Sequence, residues 1–137
     1  MRDKLVAAYD YCRALTKREA RNFYYGFMLL PLEQRRAIYA AYAFARECDD
    51  IVDGDLPADE SARRLDVQRR RLDDCLAGEP AGPVFEALGD AVARYCIPRA
   101  YLYELMDGVQ MDLEVRRYAD FALLKTYCHK VASVVGL

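Results

Sequence analysis

The chain of 137 residues is long enough for one domain with a real core and short for two. Apolar residues make up 54% and charged residues 31%, a globular balance that excludes a disordered chain. Twenty basic side chains stand against 22 acidic ones, a net charge of -2, so no electrostatic grip on nucleic acid is expected.

Residues 1–10 carry charges throughout and lack an apolar signal core, which predicts no secretion signal. Helical spacing of apolar residues begins at once and predicts a first helix over residues 4–15. Residues 16–25 are more polar and are expected to form a loop feeding a short helix toward Leu30. Pro31 sits where a helix starts, with Glu33 in its first turn, and the apolar run from residue 32 to 53 follows. Gly54 and Pro57 end it. Asp59 is the expected N-cap of a charged helix reaching Ala77, with Gly78 just beyond. Arg63, Arg64, Arg69, Arg70 and Arg71 cluster on this helix but interleave with Asp66, Asp73 and Asp74, the pattern of a solvated face.

After a turn at Pro80, Gly82 and Pro83, a helix is predicted over residues 84–96. Pro98 opens another, running to about Arg116, and Asp120 caps a last one over residues 121–136. Six or so helices with short connections, and no strand-like alternation, predict a single all-α, bundle-like domain over residues 1–137. The closing stretch 131–137 is apolar with no polar finish, which leads us to expect further helices after Leu137 to cover it. No run approaches the roughly 20 apolar residues of a membrane span. The five cysteines, Cys12, Cys48, Cys75, Cys96 and Cys128, are widely spaced and form no C-x-x-C pair, which argues against a zinc site or a disulfide framework. Together these features predict a cytoplasmic protein.

The richest constellation lies near the end of the 32–53 helix. Tyr42, Arg46, Asp49 and Asp53 are spaced by four, three and four residues, which places them within a sector of roughly 60° on one helix face. Asp50 points about 100° away from Asp49 and is not an equivalent ligand. Two carboxylates one turn apart repel unless a cation lies between them, and Mg2+, a hard ion that takes carboxylate and phosphate oxygens, suits such a pair. Arg46 then offers a planar fork to diphosphate oxygens, and Tyr42 lines an apolar wall. The plainer reading is a surface cluster in which Arg46 bridges to Asp49 or Asp50. The alanines at 40, 41, 43 and 45 favour an enclosed helix, where unpaired carboxylates are costly and a metal resolves the cost.

The stretch Asn22-Phe23-Tyr24-Tyr25-Gly26-Phe27-Met28-Leu29-Leu30-Pro31 resembles the opening motif of the squalene and phytoene synthases, the head-to-head prenyl synthases. Residues 36–46 continue it into Asp49-Asp50-Ile51-Val52-Asp53, which is similar to that family's first D-x-x-x-D motif. Two more blocks, residues 108–113 and 127–136, follow in the expected order. The resemblance implies an all-α isoprenoid-synthase bundle around a central apolar cavity, here truncated. It implies a two-step reaction of two farnesyl or geranylgeranyl diphosphates through a cyclopropyl diphosphate. Carried over by position, Asp49 and Asp53 bind Mg2+ bridging to diphosphate, and Arg46 holds diphosphate oxygens. Phe23 and Tyr42 shape the pocket, Tyr127 stands beside the reacting carbons, and Val131, Ala132 and Gly136 line the tail cavity.

Three departures matter. Asn22 stands where the family usually has serine, His129 where tyrosine is frequent, and no second aspartate motif lies within residues 1–137. The isolated chain is therefore expected not to turn over. Between products, squalene from farnesyl diphosphate, with NADPH as hydride donor, is preferred over phytoene from geranylgeranyl diphosphate. A catalytically silent scaffold is the reading from another class, and the retained Arg46, Asp49 and Asp53 oppose it. Greasy substrates make a peripheral membrane contact an expected partner, although no segment reads as an anchor.

Overall fold

The computed structural model describes residues 2–54, 56–115 and 131, with the side chains of residues 2, 22, 23, 58 and 112–115 left aside. Six helices occupy them in chain order: α1 (Arg2–Glu19), α2 (Arg21–Phe27), α3 (Leu32–Asp53), α4 (Ala58–Leu76), α5 (Pro83–Tyr95) and α6 (Arg99–Val115). No strand occurs among the described residues.

α3 is the axis of the fold. It packs against α1, α4, α5 and α6, and every residue from Ala37 to Ala45 is buried. Nine consecutive buried positions make two and a half turns, so every face of this segment is covered. Five alanines in that segment (37, 40, 41, 43 and 45) let neighbouring helices approach closely, while Phe44 meets Phe85 of α5 edge-on at 5.8 Å. Leu65 and Leu72 bring α4 into the same core, and Leu102, Leu105 and Met106 bring α6. Val131 is fully buried within it as well.

α3 begins and ends where its residues demand. Pro31, with φ -56° and ψ 152°, is the N-cap, since proline lacks the N–H that a helix interior needs. Gly54 leaves in an extended conformation, φ -72° and ψ 171°. Three boundaries differ from expectation. The polar segment after residue 15 stays helical to Glu19, because the buried Thr16 hydroxyl donates to the Cys12 carbonyl at 2.8 Å and so needs no water. The chain breaks only at Ala20 before α2 resumes. Pro57, not Asp59, caps α4, and Asp59 lies in the first turn without a capping hydrogen bond. Pro98 stands just outside α6, its carbonyl accepting from the Tyr101 N–H at 3.1 Å. The helix expected over residues 121–136 lies outside the described residues except at Val131.

Gly78 ends α4 as expected, at φ +99°, a conformation that L side chains rarely adopt. It lets the Glu79 N–H reach back to the Asp74 carbonyl at 2.8 Å. No helix among the described residues is long and apolar enough to cross a membrane.

Candidate active site at the end of the buried helix

The core of α3 ends at Cys48, and its last turn emerges carrying charge. Tyr42 is fully buried one turn before Arg46. Arg46 is partly buried, and three carboxylates surround its guanidinium. Its Nε lies 3.0 Å from Asp50 Oδ1, one terminal nitrogen 4.0 Å from Asp49 Oδ2, and the other 4.0 Å from Glu19 Oε1 of α1. Despite its ion pair with Asp50, the buried Nε–H finds no hydrogen-bond acceptor in acceptable geometry. A buried donor left unpaired is costly, and an oxygen-rich anion would satisfy it.

Of the three aspartates only Asp49 is partly enclosed, since Asp53, like Asp50, is exposed. Asp50 points outward, with 59% of its side chain exposed, whereas Asp49 retains 17%. Burial pushes the Asp49 carboxyl up to about 7, and the adjoining Asp53 carboxylate adds to the rise, while Arg46 opposes it. The pair thus carries more negative charge than the chain neutralises, which is the condition for a cation site. For Arg46 burial acts to weaken its hold on the proton, and Asp50, Tyr42, Asp49 and Glu19 together more than restore it.

The donor set fits Mg2+, being two hard carboxylate oxygens from one helix turn. It fits as part of a site, because no group of three or more potential ligands occurs among the described residues. Substrate phosphates, waters or ligands from outside this group would fill the remaining positions.

α4 holds this turn from outside. The Ser61 hydroxyl donates to the Ile51 carbonyl at 3.1 Å, satisfying one of the carbonyls that a helix end leaves unpaired. Gln68 donates to Glu47 at 3.0 Å, and burial raises the Glu47 carboxyl while that hydrogen bond opposes the rise. Sequence reasoning missed Ser61, Gln68 and Glu19. The first two look like ordinary polar residues on a charged helix, and Glu19 reaches Arg46 only because α1 runs one turn longer than expected.

Of the other expected site residues, Phe23 lies on α2 with its side chain outside the described set, and Val131 is in the core. Tyr127, Ala132 and Gly136 lie outside the described residues. Two clefts of about 340 and 370 Å³ open elsewhere, one lined by Tyr9, Arg36, Asp90 and Arg94, the other by Glu47, Asp50, Arg64 and Arg71. Neither reaches Asp49 or Asp53.

Comparison with known proteins bears directly on this constellation. Residues 16–137 match the squalene/phytoene synthase family model. The chain is 41% identical over 133 residues to 15-cis-phytoene synthase of Synechococcus elongatus, covering 97% of this chain and 43% of that protein. It is 40% identical over 133 residues to phytoene synthase of Mycobacterium tuberculosis, again covering 97% and 43%. A crystal structure of a dehydrosqualene synthase in complex with ligand superposes with a TM-score of 0.73 at 29% identity, covering 98% of this chain and 47% of that one. The chain therefore spans less than half the length of these relatives. It has the isoprenoid-synthase helical fold, and it belongs to the squalene/phytoene synthase family.

Proposed function

We propose that the full-length protein joins two prenyl diphosphates head to head, with Asp49, Asp53 and Arg46 receiving the diphosphate of the substrate that ionises. The observation that carries this reading is the under-neutralised Asp49–Asp53 pair beside an Arg46 whose buried Nε–H lacks an acceptor. Diphosphate leaves with the electron pair of its C–O bond, so positive groups placed in advance at the departing oxygens lower the barrier. Arg46 supplies such a group. Mg2+ held between Asp49 and Asp53, when bound, would supply the rest of the counter-charge. The allylic cation left behind adds to the double bond of the second substrate, and loss of a proton closes a cyclopropyl diphosphate. Ionisation of that intermediate and rearrangement finish the carbon skeleton. Tyr42 and Phe23, with Tyr127, Val131, Ala132 and Gly136, are proposed to shape the apolar space around these carbons.

For the product, the relatives named phytoene synthase reverse the preference drawn from the motifs alone, and we take phytoene from geranylgeranyl diphosphate as the reading. That product forms by proton loss, so NADPH is not required, whereas squalene needs a hydride. Incubating the full-length protein with each diphosphate, with and without Mg2+ and NADPH, tests both levels. Phytoene from geranylgeranyl diphosphate, dependent on Mg2+ alone, is expected. Squalene formed only with NADPH would overturn the product, as would a C30 hydrocarbon formed from farnesyl diphosphate without it. No consumption of either diphosphate would overturn the reaction. Because the 137 residues span less than half of the relatives, the isolated chain is expected not to turn over, and a measurable rate from it would refute that expectation.

A further inference from the structure

Arg46 has a partner that does not come from its own helix. Glu19, the last residue of α1, turns Oε1 toward one terminal nitrogen of Arg46 at 4.0 Å, while its Oε2 accepts from Arg18 Nε at 3.0 Å. Among the described residues, these two arginines are its only charged partners. The contacts are unequal, since the one to Arg18 is a hydrogen bond and the one to Arg46 is too long to be one. Glu19 also stands where a carboxylate is disfavoured. The carbonyl end of a helix repels negative charge, and the other charged residues in the last turn of α1, Lys17 and Arg18, follow that rule. The aspartates break it again at the end of α3, which has no basic residue in its last turn. Glu19, Asp49 and Asp50 thus bring three negative charges from two helix ends to one guanidinium. Side chains placed against a local rule, with no evident gain in stability, are expected at sites of function.

We propose that Glu19 is the resident counter-ion of Arg46, facing the guanidinium while the site is empty, giving way to diphosphate as it binds and taking Arg46 back as it leaves. The inference rests on the diphosphate reading given above. A partly exposed pair at 4.0 Å is weak enough to be exchanged, and Arg18 keeps the released carboxylate in place through a bond already formed. Diphosphate oxygens can come within hydrogen-bond distance of Arg46, and they can reach the buried Nε–H for which the chain itself offers no acceptor. Breaking the Glu19 pair on binding costs affinity, and re-forming it favours release of the diphosphate product. Glu19 therefore acts through Arg46 as a positioning residue. It sets how tightly diphosphate is held and takes no part in bond breaking.

The test is calorimetric titration of the full-length protein with inorganic diphosphate in Mg2+ buffer, a readout that needs no turnover. Glu19→Gln should bind diphosphate about threefold to fivefold more tightly than wild type, the effect of removing one partly exposed competing pair. Glu60→Gln removes the same charge from the first turn of α4, where its partners are Arg63 and Arg64, and should leave the affinity unchanged. In turnover, Glu19→Gln should lower KM for the prenyl diphosphate by a similar factor without raising kcat, and inorganic diphosphate should inhibit it more strongly. Its melting temperature in metal-free buffer should equal or exceed that of the wild type. An affinity of Glu19→Gln equal to or below wild type overturns the proposal. So does an equal gain in Glu60→Gln, which would make the effect one of overall charge. A clear drop in melting temperature, or a loss of folding, overturns it too by showing Glu19 to be a structural brace. If the wild type binds no diphosphate in Mg2+, the reaction proposed above fails and this inference with it. If it binds and Glu19→Gln does not differ, only the role of Glu19 falls.

Discussion

On α4, Glu60 accepts hydrogen bonds from Arg63 and Arg64, three and four residues on. On α3, Arg46 faces Asp49 and Asp50 at the same two spacings. By sequence the two clusters are equivalent. Glu60 keeps 34% of its side chain exposed between two open arginines, and the two guanidiniums hold its carboxyl below the usual carboxylate range. Asp49 is largely enclosed, shares its arginine with Asp50 and Glu19, and stands against Asp53, so its carboxyl rises instead. Spacing alone brings charges together. Burial and the balance of charge decide whether the result is a solvated ion pair or an unsatisfied site ready for a ligand.

The sharpest way to break this contrast is to neutralise one cluster at a time in the full-length protein. Asp49→Asn and Asp53→Asn are expected to cut prenyl diphosphate turnover by about a hundredfold to a thousandfold, the range for losing a preorganised electrostatic group. A rate within a few-fold of wild type would remove the pair from the reaction. Arg46→Ala should lower turnover by about tenfold to a hundredfold, as its charge-assisted contact with the leaving diphosphate is lost. It should also raise the Asp49 carboxyl further, because Arg46 is the group that opposes the rise. Carbonyl-region infrared difference spectra of the isolated chain would show that shift.

A smaller effect is expected in stability. The folded Asp49 carboxyl titrates at about 7 against an ordinary 3.8, so the folded chain binds this proton more tightly than the unfolded one. The resulting stabilisation is fully present below pH 3.8 and is lost as pH rises through about 7. For a group still in contact with solvent the loss is on the order of 1 kcal/mol. Thermal melts in metal-free buffer should therefore show wild type losing stability relative to Asp49→Asn between these limits, and parallel curves would count against the assignment. The smallest effect is the control on α4. Glu60→Ala should leave both turnover and melting temperature unchanged, since exposed pairs of this kind contribute little. A clear loss there would mean that the two clusters are not different in kind.

Much of the fold was readable in advance because it follows from local chemistry. α3 runs from Leu32 to Asp53 as the apolar spacing, Pro31 and Gly54 predict, and Gly78 closes α4 through its left-handed backbone. The misread boundaries have one cause each. Thr16 is polar but satisfies itself on the preceding turn, so α1 continues where composition predicts a loop. Asp59 is a good capping residue two positions too late, because Pro57 already supplies the N-cap. For the site, the helical period put Tyr42, Arg46, Asp49 and Asp53 on one face, which needs no tertiary information.

The amino-acid sequence by itself determined the helices, the face that carries the aspartates and the family to which the ordered motifs belong, because each depends on spacing along one chain. Only the tertiary structure decided which of three neighbouring aspartates is enclosed, that Glu19 joins Arg46, and that Ser61 and Gln68 brace the last turn of α3. It alone showed that Leu29 stands exposed at the turn between α2 and α3. These are contacts between helices, set by how α1, α3 and α4 pack, and helical period carries no information about what a neighbouring helix brings.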